Sequence, residues 1–220
     1  FMTNGYLLQS VVEEKESRLI EILISTIRPF DLLTGKILAF GILGLLQVSI
    51  WTGTFIFLGW LSGRETFQAI LPFLQVLANL TIPYHLLPLL LLYFILGYAF
   101  FAGLYGIVGA ISNSMREGPQ YAIIFTLPAV FPFYFLSVFA TTPNDTLPVV
   151  LSMFPLTAPL GMAMRLVVTD VPAWQIVLSL VLLALSVVGA LWLASRLFRV
   201  NTLLAGRLPK LRDLPSLVRG

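Results

Sequence analysis

Long uncharged stretches separated by short charged ones dominate this chain of 220 residues. Four of them, at residues 37–61, 84–112, 120–140 and 173–195, are long enough to cross a bilayer, since about 20 apolar residues do so as a helix. A shorter apolar stretch at residues 1–12 is interpreted as the end of a further span whose beginning is missing. The pattern predicts an all-α, polytopic membrane bundle with four complete spans and a partial N-terminal one. We expect a single transmembrane domain over the whole chain, preceded by more protein.

The densest charge in the first half of the chain lies between residues 13 and 28. On a helix, Glu14 and Glu21 share one face and Leu23 lies on the opposite face. We therefore expect an amphipathic helix along the membrane surface, with its apolar face inward. Pro29 is expected to end it, because the residue before a proline disfavours helical geometry. Asp31 would then cap the next helix.

Prolines predict a break in the span at residues 120–140. Pro128 and Pro132 each lack a backbone N–H, so both should kink the helix. Broken membrane helices usually face protein or water, which favours a place at a pathway or a subunit interface. Residues 141–170 contain further prolines and predict a re-entrant or surface helical pair on the outer side.

Small residues recur at four-residue spacing in two of the predicted spans, which favours close packing with another helix. The repeats are Ala99-x-x-x-Gly103, Ala102-x-x-x-Gly106 and Gly106-x-x-x-Ala110 in the first, and Ser186, Ala190 and Ala194 in the second.

Composition places the chain among membrane proteins and excludes several kinds of chemistry. Hydrophobic residues make up 58% of the chain, charged residues 10%, and the mean hydropathy is +0.95. The chain has no cysteine, and His85 is its one histidine, which makes a poor metal site by itself. Motifs of metalloproteases and serine hydrolases do not occur. We expect no catalytic residue, no metal site and no nucleic-acid partner.

The basic residues predict the orientation in the bilayer. Of the 13 lysines and arginines, only Arg64 and Arg165 fall on one side of the predicted spans. Because lysine and arginine are enriched in cytoplasmic loops, we expect the 13–28 segment, the polar turn at 113–118 and the C-terminus in the cytoplasm. The chain would lie in a cell membrane, inner or plasma, and we expect a bacterial source.

Two motifs, in this order along the chain, carry a resemblance to a known family. The first is E-K-E-x-x-x-x-E-I-L-x-S-x-x-x-P, with G-K-I-L where the next span opens. The second is F-P-L-T-A-P at residues 154–159, followed by Arg165. Together they resemble type-2 ABC exporter permeases, especially the NatB-like sodium-exporter branch. The residues that match the first motif are Glu14, Lys15, Glu16, Glu21, Ile22, Leu23, Ser25, Pro29, Gly35, Lys36, Ile37 and Leu38.

The resemblance implies the membrane permease subunit of an ATP-driven exporter for sodium or another small substrate. ATP and Mg would bind in a separate ABC ATPase subunit, and this chain would hold no cofactor. The 13–28 helix would be the coupling helix that docks on the ATPase. Because so few spans cannot enclose a path, a second copy or a homologous permease is expected beside it in the lipid bilayer.

Four groups of site residues follow from the resemblance and from the pattern. The ATPase-coupling residues are Glu13, Glu14, Lys15, Glu16, Arg18, Glu21, Ser25, Pro29, Gly35 and Lys36. The second cytoplasmic contact is Ser114, Arg116 and Glu117. The candidate pathway residues are Gln47, Gln120, Thr126, Pro128 and Pro132. The outer segment contains Pro155, Pro159 and Arg165.

Other functions remain open at this point. A membrane scaffold or sensor that recruits a cytosolic partner without transport would show the same charged connector between spans. A membrane-bound enzyme is disfavoured by the missing catalytic motifs. Gly35 and Lys36 lack the glycine and hydroxyl positions of a phosphate-binding loop, so we interpret them as a helix start with its lysine at the membrane interface.

Overall fold

The computed structural model describes residues 2–16, 29–62, 84–112 and 114–203, which are helical apart from short turns and contain no strand. The prediction of an all-α chain is therefore confirmed for this part. The helices are α1 (Met2–Glu16), α2 (Pro29–Ser62), α3 (Leu87–Ile111), α4 (Glu117–Ala129), α5 (Phe131–Tyr134), α6 (Leu136–Thr141), α7 (Thr146–Met153), α8 (Ala158–Val168) and α9 (Ala173–Leu203), and a 3₁₀ turn (Tyr84–Leu86) precedes α3.

Three helices in the described ranges are long and apolar enough to cross a membrane. They are Thr34–Leu61 within α2, Leu87–Ile111, which is α3, and Ala173–Leu197 within α9. The sequence predicted four such helices, and the three agree with three of those predictions. The fourth predicted span, at residues 120–140, is divided among α4, α5 and α6.

Prolines and distorted turns divide this fourth stretch. Pro128 lies in the last turn of α4, which ends at Ala129. Val130 and Phe135 then depart from helical geometry on either side of the four-residue helix α5. The Phe133 N–H bonds the Val130 carbonyl at 3.0 Å, a three-residue hydrogen bond that tightens the chain where the α-helical ladder is interrupted. The predicted break is confirmed, but the result is three short helices instead of one kinked span.

Helix α3 occupies the centre of the bundle. Helix α9 packs along it, and α1, α2, α4 and α8 contact its other faces. The half of α3 that ends at Ile111 is almost completely buried, with Phe101, Ala102, Tyr105 and Val108 at most 6% exposed. This half of the helix is therefore surrounded by protein, although its composition alone suits a lipid environment.

Glycine positions allow the neighbours of α3 to approach closely. A Cβ added at Gly103 would lie 2.8 Å from the Cβ of Ala190 in α9. A Cβ at Gly109 would lie 2.7 Å from Val11 Cγ1 in α1. Any side chain at these two positions would force the helices apart, so the small-residue repeats serve helix packing, as the sequence predicted.

Helix α2 lies at the periphery. Gly44 is the one buried residue among its described side chains, and large apolar groups such as Trp51 and Trp60 are more than half exposed. The ring of Tyr98 in α3 lies beside Gly41, and its hydroxyl donates to the Ile37 carbonyl at 2.7 Å. An apolar helix with so little protein around it suits contact with lipid or with another subunit.

The boundaries near the first charged segment differ from the prediction. Helix α1 continues through Glu16, so residues 13–16 extend the first helix and do not open a separate one. Helix α2 begins at Pro29, which suits a first turn because its missing N–H has no helical partner there. Asp31 lies within that first turn and is not the cap. Residues 17–28, which hold most of the predicted coupling helix, lie outside the described residues.

Candidate functional site

One end of the bundle brings together four segments that are distant in the sequence. Val11 of α1, Ala110 of α3 and Ala194 of α9 form a small buried cluster, and Ile37 of α2 and Leu197 of α9 pack against it. The last turn of α1, the first turns of α2 and the final turns of α9 therefore lie together. The sequence predicted these segments on the same side of the membrane.

At this end of the bundle, Glu14 of α1 and Lys36 of α2 form an ion pair. Lys36 Nζ lies 2.6 Å from Glu14 Oε2. The same ammonium donates to Ser10 Oγ at 2.8 Å and to the Ser10 carbonyl at 3.3 Å. The side chains of Lys36 and Glu14 are only 13% and 23% exposed. Two predicted ATPase-coupling residues therefore contact each other and connect α1 to α2.

The remaining predicted coupling residues fall into two groups. Glu13 is exposed in the last turns of α1, Gly35 is exposed with open space around its Cα, and Pro29 is the first residue of α2. Lys15 and Glu16 belong to the last turn of α1. Arg18, Glu21 and Ser25 lie outside the described residues, so their docking role stays a prediction.

The predicted second contact lies in the turn between α3 and α4. The N–H groups of Glu117 and Gly118 bond the Ser114 carbonyl at 3.1 and 3.4 Å, and Arg116 is exposed. A Cβ on Gly118 would lie 3.5 Å from the side chain of Leu8. The turn therefore packs beside α1, at the end of the bundle that also contains the Glu14–Lys36 pair.

A cleft of about 510 Å³ opens between α1, α3 and α4. Apolar side chains such as Leu8 and Val12 form most of its wall, and Gln9, Tyr105 and Thr126 supply polar groups. None of the residues that line it is charged. The hydroxyl groups of Tyr105 and Thr126 lie 2.8 Å apart, and Thr126 is close enough to the Ala122 carbonyl, at 2.9 Å, to donate to it. The cleft can hold a largely apolar molecule, or water, beside a few hydrogen-bonding groups.

Only one of the predicted pathway residues lines this cleft. Thr126 does, whereas Gln120 is exposed on α4 and Gln47 lies half-buried on α2. Pro128 is half-buried and Pro132 is buried where α4 gives way to α5. The structure therefore does not bring the five predicted residues together.

A buried arginine organises the opposite end of the bundle. Arg165 of α8 is completely buried, and its Nε donates to the Pro143 carbonyl at 2.8 Å. Its two terminal nitrogens donate to Ser152 Oγ at 2.8 Å and to Asn144 Oδ1 at 3.1 Å. All three acceptors are neutral. A cation in such a place is costly unless it is well hydrogen-bonded, so these three bonds are essential to the local structure.

The outer segment contains the predicted pair of helices, α7 and α8, joined by a turn at residues 154–157. Pro159 packs against Gly97 of α3, and a Cβ added at Gly97 would lie only 2.8 Å from the Pro159 ring. Pro155 lies in the turn. Arg165, which the sequence placed on the outer side, is completely buried within the segment. Whether the pair enters the membrane as a re-entrant segment stays a prediction.

Sequence reasoning missed the partners of these charged groups. Asn144 and Ser152 hold Arg165, and Ser10 holds Lys36. Ser10 carried a signal, because it lies four residues before Glu14 and so shares its helix face. Asn144 and Ser152 carried none, since isolated polar residues in apolar stretches do not reveal their long-range partners. Within the described ranges, no three His, Asp or Glu side chains come together as a metal site.

Comparisons with known proteins complete the description. The family described as "ABC-2 family transporter protein" matches residues 1–196. The uncharacterized protein MJ1024 of Methanocaldococcus jannaschii is 29% identical over 201 residues, which cover 91% of this chain and 46% of that protein. The uncharacterized protein YhaP of Bacillus subtilis is 26% identical over 216 residues, which cover 95% of this chain and 49% of that protein.

The chain thus spans about half the length of the curated relatives it matches. No solved structure matches it. The family match extends over most of the chain and includes α1, α2, α3 and the outer helical pair. It agrees with the all-helical structure and its three apolar helices of membrane-spanning length. The chain belongs to the ABC-2 family of transporter membrane proteins, the family of ABC transporter permease subunits.

Proposed function

We propose that this chain is part of the permease of an ATP-driven exporter and that a separate ABC ATPase docks on the segment between α1 and α2. The observation that carries this proposal is the family match over residues 1–196. The geometry supports it, because both ends of that segment lie at one end of the bundle beside the turn at residues 114–117. ATP and Mg would bind in the ATPase.

The proposed transport unit includes a second copy of the permease or a homologous one. Three apolar helices of spanning length in the described part of one chain are too few to enclose a path. The cleft beside Thr126 is the part of the path that one subunit would contribute. Sodium is the first substrate to test, since the motifs at residues 14–38 resemble those of NatB-like sodium exporters.

The proposed mechanism is a rigid-body transition driven by the ATPase. Closure of two ATPase subunits on ATP would displace the segment that they bind. Helices α1 and α2 are attached to the two ends of this segment, so its displacement would change their tilt. Access to the cleft would then alternate between the two sides of the membrane, as in other hinge and shear transitions.

Transport by the reconstituted complex tests the proposal. The full-length permease would be co-expressed with a candidate ABC ATPase from the same organism, purified and reconstituted into vesicles that contain a sodium-sensitive dye. We expect the two proteins to co-purify and ATP outside the vesicles to drive uptake by inside-out permeases. A complex that forms but moves no tested cation would redirect the substrate assignment. A permease that binds no ATPase would instead support the scaffold or sensor alternative.

Two substitutions in the coupling segment separate docking from folding. Glu21→Lys should weaken ATPase binding by reversing a charge at the contact, while the thermal stability of the permease stays near wild type. Leu23→Asp should destabilise the permease itself, because it places a charge on the apolar face of the predicted helix. Unchanged ATPase binding and transport with Glu21→Lys would show that this face does not dock.

A further inference from the structure

We infer that Glu14 and Lys36 form a clasp that keeps the end of α1 and the start of α2 together, so that α2 follows the coupling segment when the ATPase moves it. The clasp consists of the Glu14–Lys36 ion pair and the two hydrogen bonds from Lys36 to Ser10. This inference rests on the proposed function. It assigns Glu14 and Lys36 a positioning role within the permease in place of a direct contact with the ATPase.

The geometry of the clasp favours a specific interaction over a chance surface pair. One ammonium lies 2.6 Å from a carboxylate oxygen and donates to a hydroxyl at 2.8 Å and to a backbone carbonyl at 3.3 Å. Both charged side chains are less than one quarter exposed. Exposed ion pairs contribute little, but a pair shielded from water and held by further hydrogen bonds is stronger and more sharply oriented.

The two helices that the clasp connects differ in how firmly they are held. Helix α1 belongs to the core, with Leu7, Leu8, Val11 and Val12 at most 4% exposed. Helix α2 is peripheral, with only Gly44 buried among its described side chains. The start of α2 is also held by the hydrogen bond from Tyr98 to the Ile37 carbonyl and by the packing of Ile37 against the small buried cluster around Val11. The clasp is therefore the charged link between a well-packed helix and a loosely packed one.

This difference determines what loss of the clasp would do. When the coupling segment is displaced, it pulls on the end of α1 and on the start of α2. Because α2 is loosely packed, its first turn can deform without the whole helix moving. With the clasp intact, the start of α2 must follow the end of α1. Without the clasp, the ATPase would still bind the permease and hydrolyse ATP, but the displacement would not be transmitted to the membrane-spanning part of α2.

Charge removal and charge exchange test the clasp in the reconstituted complex. Glu14→Gln and Lys36→Met should each lower the amount of substrate exported per ATP hydrolysed by about tenfold, which corresponds to a coupling free energy of about 1.4 kcal/mol. The double variant Glu14→Lys with Lys36→Glu should recover most of that loss. Asp31→Asn is the matched control, because it removes an exposed charge from the same end of α2 and should leave the ratio unchanged.

The exchange distinguishes the clasp from direct docking. If both side chains contacted the ATPase, exchanging them would reverse two charges at that contact, and the double variant would bind the ATPase worse than either single one. ATPase binding that stays constant in all variants, with export restored only in the double variant, supports the clasp. Single variants that export normally, or a double variant that recovers nothing, would overturn it.

A cross-link provides a second test, since these 220 residues contain no cysteine. The double variant Glu14→Cys with Lys36→Cys should export less substrate per ATP hydrolysed while its thiols are free. A short, cleavable cross-linker that joins the two thiols should restore the wild-type ratio. A cross-linked complex that stays uncoupled would show that the two helix ends must separate during transport, against the inference.

The inference and the proposed function fail in different ways. Absence of ATP-driven transport by the wild-type complex would refute the proposed function. Thermal stability then still tests the clasp. It would be measured for the wild type, for Glu14→Lys and Lys36→Glu alone, and for the double variant that carries both. If the two residues interact, the two single effects do not add up to the effect of the double variant. Additive stabilities would show that Glu14 and Lys36 do not act as a pair.

Discussion

Arg165 donates to Ser152 Oγ at 2.8 Å, and this one contact joins the two helices of the outer segment. Arg165 lies in α8 and Ser152 in α7. The carbonyl of Ser152 in turn accepts a hydrogen bond at 2.8 Å from the hydroxyl of Ser179 in α9. A buried cation thereby connects the outer helical pair to the last span through a single serine.

Replacement of Arg165 by methionine should destabilise the protein in detergent by about 2–3 kcal/mol, because the acceptor on the buried Ser152 would lose its donor. Arg165→Lys should recover part of this loss, since an ammonium keeps the charge but cannot reach three acceptors with the geometry of a guanidinium. Thermal unfolding followed by circular dichroism measures both. Arg116→Met is the control, because Arg116 is exposed and its loss should change stability little. Equal melting temperatures for all three variants would contradict the structural role.

Replacement of Gly103 by alanine should destabilise the packing of α3 on α9. The new Cβ would meet the Cβ of Ala190 at 2.8 Å and its backbone carbonyl carbon at 3.1 Å, so the two helices must separate. Overpacking of this kind costs about 1–3 kcal/mol. The double variant Gly103→Ala with Ala190→Gly should recover part of the loss in a thermal melt.

Gly189→Ala is the matched control for this pair. Gly189 lies next to Ala190 in α9, but a Cβ there would meet nothing within 4 Å. Alanine should be neutral or stabilising at that site because its helix propensity exceeds that of glycine by about 1 kcal/mol. A loss of stability with Gly189→Ala equal to that of Gly103→Ala would point to a general glycine requirement and not to the α3–α9 contact.

The predicted orientation is tested by single cysteines at the two ends of the bundle. Ser114→Cys in the turn before α4 should react with a membrane-impermeant maleimide only after the cells are opened. Asp170→Cys, in the exposed turn before α9, should react in intact cells. These 220 residues contain no cysteine, so within them each label reports one site. The reverse pattern would invert the orientation predicted by the basic residues.

The cleft between α1, α3 and α4 is tested by its access to water-soluble reagents. Thr126→Cys should react with a charged methanethiosulfonate, because Thr126 lines the cleft. Ile124→Cys is the control on the same helix: Ile124 is exposed but does not line the cleft, and we expect it to face lipid and to react slowly. Substrate should slow the reaction at position 126 only. Equal reactivity at both positions would argue against a pathway role for the cleft.

Local sequence was sufficient for the helices and for the break in the fourth stretch. Hydrophobicity over about 20 residues predicts a span wherever the surroundings are lipid or apolar protein. Pro128 predicts an interrupted ladder because it lacks an N–H, which is a property of the residue itself. The sequence underestimated how far the helix is interrupted. The distorted residues Val130 and Phe135 are not prolines, and their geometry depends on packing.

The candidate site was less accessible to this reasoning. The sequence assigned Glu14 and Lys36 to ATPase coupling from a family motif, and it gave no sign that the two residues pair with each other. Their pairing depends on how α1 and α2 approach each other across 22 residues of chain, which no local pattern encodes. The same holds for Arg165, which the sequence placed on the outer side without identifying its three acceptors, all neutral groups from elsewhere in the outer segment.

By itself, the sequence determined that this chain is helical and lies in a membrane, because composition and short-range periodicity control these properties. It also predicted that Gly103 and Ala190 would allow close packing, since small side chains do so in any bundle. Only the tertiary structure decided that these two residues meet each other, that Lys36 meets Glu14, and that Arg165 is buried. Such contacts depend on the relative placement of whole helices, and many placements satisfy the same hydrophobic pattern equally well.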